Sequence, residues 1–309
     1  AYDAVGVQAP RDLVNLHALI GGNISINVPP FYQTIPMQNP RRKGQVTLTG
    51  VFPVMGHNEL YVQQATKNAG SDAVNTKLAE MNFSGRLQNT VISWGRLDYT
   101  KGLLGHYEAL EIALTDLGQS PDSIHLLQIA ANSRMDIPAY QDFYQRLHDT
   151  HDSLTSRYGP VATLHDFPVE RSLILGMARQ TRAGLLTSPT EGAGMVAYEY
   201  ISAQDSDNPG VLILSKGAGS AAVLPPEGVL LIEPNNPRQL AEAIVTSGQL
   251  SRERRCAMYA SCMQAMAQCS NRQWYEGLLE ASLEGSRFGG QRRARLIRGS
   301  LSARAAPNG

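Results

Sequence analysis

From Thr90 onward, short apolar runs of β type alternate with stretches in which apolar positions recur at helical spacing. The strand runs are Val91 to Trp94, Ile124 to Ile129, Ala183 to Thr187, Val211 to Leu214 and Val229 to Ile232. The helical stretches are Leu103 to Leu117, Pro138 to Tyr158, Arg171 to Gln180, Met195 to Ala203 and Pro237 to Ser247. This alternation predicts βαβ units and a doubly wound α/β lobe, with ligands at the carboxyl ends of a parallel sheet. Residues 1–89 offer less: strands at Ala4 to Val7 and Gln45 to Phe52 and a helix near Glu59 to Asn68, too few for a second complete lobe. The pattern divides the chain into 1–89, a partial lobe with its connection; 90–250, the ligand-binding lobe; 251–286, closing helices; and 287–309, which lacks periodicity and reads as a disordered tail. The chain has no initiator Met and opens on a strand, which suggests a fragment.

Composition narrows the function classes. With 309 residues, 42% hydrophobic and 17% charged, the chain is globular, and 27 basic against 27 acidic residues give no net charge to draw in nucleic acid or an anionic membrane. Anion binding must therefore be local. The tail arginines, such as Arg292 and Arg293, read as solvated. Cys256, Cys262 and Cys269 have neither zinc-site spacing nor an even count and read as small packing groups in a reducing compartment. No apolar run is long enough to span a membrane and no signal peptide is present, so a cytoplasmic location is expected. His148 and His151 lack a third ligand, and Asp205-Ser206-Asp207 lies in a polar connection, so no metal is expected.

The candidate chemistry sits just after strands. Arg96 and Lys101 flank the strand-to-helix junction Ser93-Trp94-Gly95-Arg96-Leu97-Asp98-Tyr99-Thr100-Lys101-Gly102, and two cations there suit a diphosphate. The alternative is that Arg96 pairs with Asp98 while Lys101 is an ordinary solvated residue. Arg134 follows the second strand, before a helix for which Asp136 is a plausible N-cap. It could bind a separate phosphate or do nothing. After the third strand, Glu191, Gly192, Ala193, Gly194, Met195 and Val196 open a helix whose amides and dipole favour an anion. Glu199 lies about two turns on, near the face of Glu191. These carboxylates could accept hydrogen bonds from sugar and ribose hydroxyls; otherwise Glu191 caps the helix and Glu199 faces water. Gly192-Ala193-Gly194-Met195-Val196-Ala197 also fits the GxGxxA dinucleotide fingerprint, but four residues separate it from its strand and the next strand ends in Ser215-Lys216 rather than an acid.

Arg96-Leu97-Asp98-Tyr99-Thr100-Lys101-Gly102 resembles the Arg-Leu-Asp-Tyr-(Ser/Thr)-Lys-Gly motif of the trehalose-6-phosphate synthase family, and Ser133 to Tyr140 resembles its Ser-Arg-x-Asp-Val-x-x-Tyr segment. Glu199 to Gln204, Asn208 to Gly219 and the helix around Trp274 extend the match, and Tyr2 to Gln8 and Gly50 to Val54 resemble the end of the family's first lobe. The resemblance covers most of residues 1–286. It implies a GT-B fold, with 1–89 as the end of the acceptor lobe, and retaining glycosyl transfer with no metal or cofactor, the nucleotide-sugar being a substrate. It implies that Arg96 and Lys101 hold the donor diphosphate, Glu199 the ribose, the loop from Glu191 to Val196 the donor, and Arg134 the acceptor phosphate. The partners implied are a nucleotide-sugar donor and a sugar-phosphate or glycerol-phosphate acceptor, with self-association left open. The sequence departs where the family has Asp-Gly-Met-Asn: Glu191 and Gly194 replace the Asp and the Asn, and Ala222-Val223 replaces an Asn-Glu pair. Those departures leave room for glucosyl transfer to glycerol 3-phosphate, or for a silent sugar-phosphate-binding relative, beside the leading expectation of transfer to glucose 6-phosphate. An NAD(P)-dependent oxidoreductase is the remaining alternative.

Overall fold

The structure, a computed structural model, describes residues 4–19, 30–38, 46–54 and 58–286. The expected tail at 287–309, with its arginines, lies outside the described residues. Two compact units emerge, Ala1–Val54 with Cys269–Gly309, and Met55–Gln268.

In the smaller unit β1 (Ala4–Val7) is followed by α1 (Pro10–Leu19), β2 (Thr34–Gln38) and β3 (Val46–Val51). β3 is central, parallel to β1 and antiparallel to β2. The sequence pattern missed α1 and β2. Residues 271–286 are helical, and a Cβ at Gly277 would stand 2.9 Å from Cβ of Tyr32, so this helix seats closely on the smaller unit's own core.

The larger unit opens with α2 (Asn58–Asn68) and α3 (Asp72–Glu80). The α/β alternation follows: β4 (Thr90–Arg96), α4 (Leu103–Thr115), β5 (His125–Ala131), α5 (Pro138–Tyr158), β6 (Ala162–His165), α6 (Arg171–Ala178), β7 (Ala183–Leu186), α7 (Met195–Ala203), β8 (Val211–Ser215), β9 (Leu230–Ile232), α8 (Pro237–Gln249) and α9 (Arg252–Ala267). The division differs from the boundary read near residue 89. A Cβ at Gly176 of α6 would stand 2.8 Å from the Asn68 backbone, and packing this close ties α2 to the α/β lobe.

The six strands are all parallel, in the order β6-β5-β4-β7-β8-β9. The α/β reading holds, with β6 as an edge strand that the apolar pattern did not reveal because Thr163 and His165 leave Leu164 as its one large apolar residue. Alternation splits the strand residues between two faces. Val91, Leu126, Ala130, Leu185, Val211 and Ile213 join α4, α5 and α8 in one core, while Ile92, Leu127, Leu186 and Leu212 are buried on the other. On that second face a Cβ at Gly184 would stand 2.5 Å from the Tyr200 ring, so α7 lies directly against β7.

A buried relay fixes the loops above the sheet. Gln128 Nε2 donates to His106 Nδ1 at 2.8 Å, which leaves Nε2–H of His106 to donate to Thr187 Oγ1 at 2.7 Å. The Thr187 hydroxyl then donates to the Lys101 carbonyl at 3.3 Å. Neutral imidazole is required, and burial holds His106 down at about 4. Among the described residues no helix is long and apolar enough to cross a membrane. Cys262 and Cys269 are buried, with the Cys262 thiol donating to the Gly228 carbonyl and pushed up to about 12 by burial.

Two outcomes follow from this packing. Gly184→Ala forces Tyr200 away and is expected to cost about 1–3 kcal/mol in urea unfolding; an unchanged midpoint contradicts direct seating of α7 on β7. For His106, the unfolded chain binds the extra proton between the unfolded value of 6.5 and the folded value of about 4. Stability is therefore complete above that window and is lost as pH falls through it. His125, also lowered to about 4 chiefly by burial, adds to the loss. His106→Gln should flatten part of the measured dependence, and an undiminished slope contradicts the relay.

Candidate active site

In a doubly wound sheet the crevice opens where the strand order reverses, here between β4 and β7. β4 pairs with β5 from Thr90↔His125 to Arg96↔Ala131, but with β7 only at Val91↔Ala183 and Ile92↔Gly184. The carboxyl ends of β4 and β7 thus separate, and the loops that follow them face each other across the gap.

Beyond β4, Asp98 is 4% exposed and caps the single turn Tyr99–Lys101, its Oδ1 accepting from Thr100 N at 3.0 Å and Thr100 Oγ1 at 2.7 Å. Burial would raise its carboxyl, but these bonds, a third from Tyr140 and the nearby Arg96 charge hold it below the ordinary value. Gly102 closes the turn at φ +72°, and any Cβ there would meet Thr187 O at 2.9 Å. Both the backbone conformation and the space demand glycine.

Lys101 is not an ordinary solvated residue. Its Nζ stands 2.5 Å from Oε1 of Glu191, 90 residues away beyond β7, and the Glu191 Oε2 accepts from Ser188 Oγ at 2.6 Å. Glu191 therefore does not cap α7. The N-cap is Gly194 at φ +66°, without a side-chain bond. Gly192, Ala193 and Gly194 precede the helix and Met195 and Val196 begin it, so its first amides have no carbonyl inside the helix to bond. Arg96 is exposed and makes no ion pair with Asp98 by distance; among the described residues no hydrogen bond or ion pair of its side chain is found.

Glu199 does not face water. It is 6% exposed, accepts from Trp94 Nε1 at 3.1 Å and lies 3.4 Å from Arg171 Nε. Trp94 and Arg171 were not singled out by sequence; nothing in the spacing pairs them with a residue so far along the chain. Arg134 is exposed on a left-handed backbone, φ +53°, and donates to Tyr140 Oη at 2.7 Å. Asp136 is not the N-cap of α5. Ile137 occupies that position because Pro138 is the first helical residue, its fixed φ suited to N1. Tyr99, Ile137 and Phe167, exposed apolar residues after β4, β5 and β6, border the same sheet edge. The Asp205 carboxylate accepts from Asp207 N and pairs with Arg179 at 3.5 Å.

The profile of Glycosyltransferase family 20 matches residues 34–283. The chain is 30% identical to a trehalose-6-phosphate synthase of Escherichia coli O9:H4 (strain HS) over 238 residues, covering 75% of this chain and 48% of that relative. It is 29% identical over 242 residues to the Cronobacter sakazakii (strain ATCC BAA-894) trehalose-6-phosphate synthase, covering 77% and 49%. Among solved structures, the alpha,alpha-trehalose-phosphate synthase (UDP-forming) from Burkholderia xenovorans in complex with glucose-6-phosphate aligns with TM-score 0.80 at 25% identity, over 91% of this chain and 60% of that one. An E. coli structure bound with UDP-2-fluoro glucose aligns at 0.75 and 26%, over 91% and 61%. The chain spans about half the length of the curated relatives it matches. The sequence match and the parallel sheet with its switch-point crevice agree: the chain belongs to glycosyltransferase family 20, the trehalose-6-phosphate synthase family.

Proposed function

We propose that this chain forms the donor-binding part of a retaining glucosyltransferase that moves glucose from UDP-glucose to glucose 6-phosphate. The observation that carries the reading is the meeting of Lys101 and Glu191 at the switch point, beside the open N-terminus of α7. A diphosphate entering there exchanges with the Glu191 carboxylate on Lys101, while Arg96 and the α7 amides supply further donors. Release from Lys101 frees the Glu191 oxygens to accept sugar hydroxyls. Glu199, already oriented by Trp94 and Arg171, offers its carboxylate to a ribose.

In the transfer the bond from the sugar's anomeric carbon to the diphosphate breaks and its electron pair leaves with the phosphate oxygen, where Arg96 and Lys101 stabilise the growing charge. The acceptor hydroxyl bonds to the same carbon from the face the diphosphate leaves. By the family resemblance its proton passes to the departing phosphate. Arg134 holds the acceptor's phosphate. Relatives named for glucose-6-phosphate and UDP-2-fluoro glucose complexes support this donor and acceptor pair.

The test is a donor-by-acceptor matrix on the full-length protein: UDP-, ADP- and GDP-glucose against glucose 6-phosphate and glycerol 3-phosphate. Turnover is expected with UDP-glucose and glucose 6-phosphate, and Lys101→Ala and Arg96→Ala should each lower the rate about a hundredfold or more. Turnover with glycerol 3-phosphate alone rejects the proposed acceptor. Saturable NADH binding without nucleotide-sugar binding rejects the transferase reading altogether.

A further inference from the structure

The tyrosine that closes the segment Ser133 to Tyr140 has a part in the site that the donor and acceptor roles above leave unassigned. Tyr140 lies in the first turn of α5 and is 4% exposed. Its hydroxyl is 2.7 Å from Arg134 Nη1 and 3.1 Å from Asp98 Oδ2. The direction of each bond is fixed by chemistry. Guanidinium has only protons to give and an ionised carboxylate has only lone pairs, so the Tyr140 oxygen accepts from Arg134 and its proton goes to Asp98. Asp98 is otherwise committed to Thr100, which donates from both its amide and its hydroxyl to Oδ1. The hydroxyl is thus a bridge locked in one orientation between a buried anion and an exposed cation.

Three further observations show that the geometry holds Arg134 in one place. Its backbone sits at φ +53°, a left-handed conformation that an ordinary L residue disfavours. The preceding Ser133 hydroxyl donates to the Leu97 carbonyl at 2.9 Å, which ties this loop to the one that carries Asp98. The Arg134 guanidinium also lies 5.6 Å from the centre of the Tyr140 ring. An unconstrained surface arginine needs none of this.

We propose that Tyr140 is a positioning residue that holds Arg134 for the phosphate of the acceptor and anchors it, through Asp98, to the turn that carries Lys101. The proposal rests on the acceptor-phosphate reading of Arg134. It names no contact between Tyr140 and substrate; the tyrosine acts through the arginine.

The experiment is calorimetric titration of glucose 6-phosphate, and separately of UDP, into the full chain and its Tyr140→Phe and Arg134→Ala variants. Phenylalanine keeps the ring in the α5 turn and removes only the bridge. The expected result for Tyr140→Phe is a glucose 6-phosphate Kd about tenfold weaker with a UDP Kd within about twofold of the native chain, and the loss should shrink when glucose without its phosphate is the probe. A purely structural tyrosine would weaken both ligands together, or neither, and either result overturns the positioning role. If Arg134→Ala loses glucose 6-phosphate and Tyr140→Phe does not, the positioning role alone is overturned. If Arg134→Ala binds as the native chain does, or if the native chain shows no saturable binding, the acceptor reading fails and the proposal falls with it.

Discussion

A carboxylate with almost no access to water must be hydrogen-bonded, because an unpaired charge in the protein interior costs several kcal/mol. Asp98 is that carboxylate, and the site is arranged around meeting its demand. Its three donors are the amide and hydroxyl of Thr100 and the hydroxyl of Tyr140. The first two wind the chain into the turn that ends in Lys101, and the third draws the start of α5 toward β4. Burial favours the neutral acid, yet the hydrogen bonds and the Arg96 charge outweigh it and keep the group ionised. One buried charge thereby sets where the two loops with candidate phosphate-binding cations can run.

The sheet explains why those loops meet anything at all. Because β4 and β7 pair at only two positions while β4 and β5 pair along seven, the crevice opens on the β7 side of β4. Glycine permits the two sharp exits. Gly102 takes the chain into α4 under the Thr187 carbonyl, and Gly194 takes it into α7 where a Cβ would stand 2.7 Å from Ser220 Oγ. Below them the His106 relay crosses from β5 through α4 to the end of β7 and supports the Lys101 carbonyl. The cation is held from beneath by neutral hydrogen bonds and met from across the gap by a carboxylate.

Much of this was legible in the chain itself. The βαβ alternation, the helices Pro138–Tyr158 and Met195–Ala203 and the placement of Arg96 at a strand end and of Lys101, Arg134 and Glu191 beyond strand ends follow from local pattern, because periodicity and strand-end position are local properties. What was not legible is pairing over distance. Lys101 with Glu191, Glu199 with Trp94 and Arg171, and Tyr140 with Asp98 join residues 28 to 105 positions apart, and no spacing rule reaches that far. The short strand β6 was hidden for a different reason: Ala162-Thr163-Leu164-His165 holds a single large apolar residue between two polar ones, so no apolar run marks it. The N-cap of α5 was misplaced because an Asp near a helix start is a strong signal, yet Pro138 fixes the first helical residue and leaves Ile137 before it.

Two of the departures from the family motif have different physical weight. At Gly194 the backbone is left-handed, and asparagine and glycine are the residues that accept this conformation most readily, so the exchange preserves the path of the loop and removes only a side chain. At Glu191 the charge is kept on an arm one methylene longer, and in this structure that arm reaches both Lys101 and Ser188. Such a pair, with its side chains 24% and 19% exposed, still feels solvent and is worth on the order of 1 kcal/mol. A diphosphate brings more than one negative charge, and each hydrogen bond to a charged group contributes about 1.5–3 kcal/mol. On the proposed donor reading, the exchange on Lys101 therefore runs toward the phosphate, and the Glu191 carboxylate is displaced toward the sugar as the donor arrives.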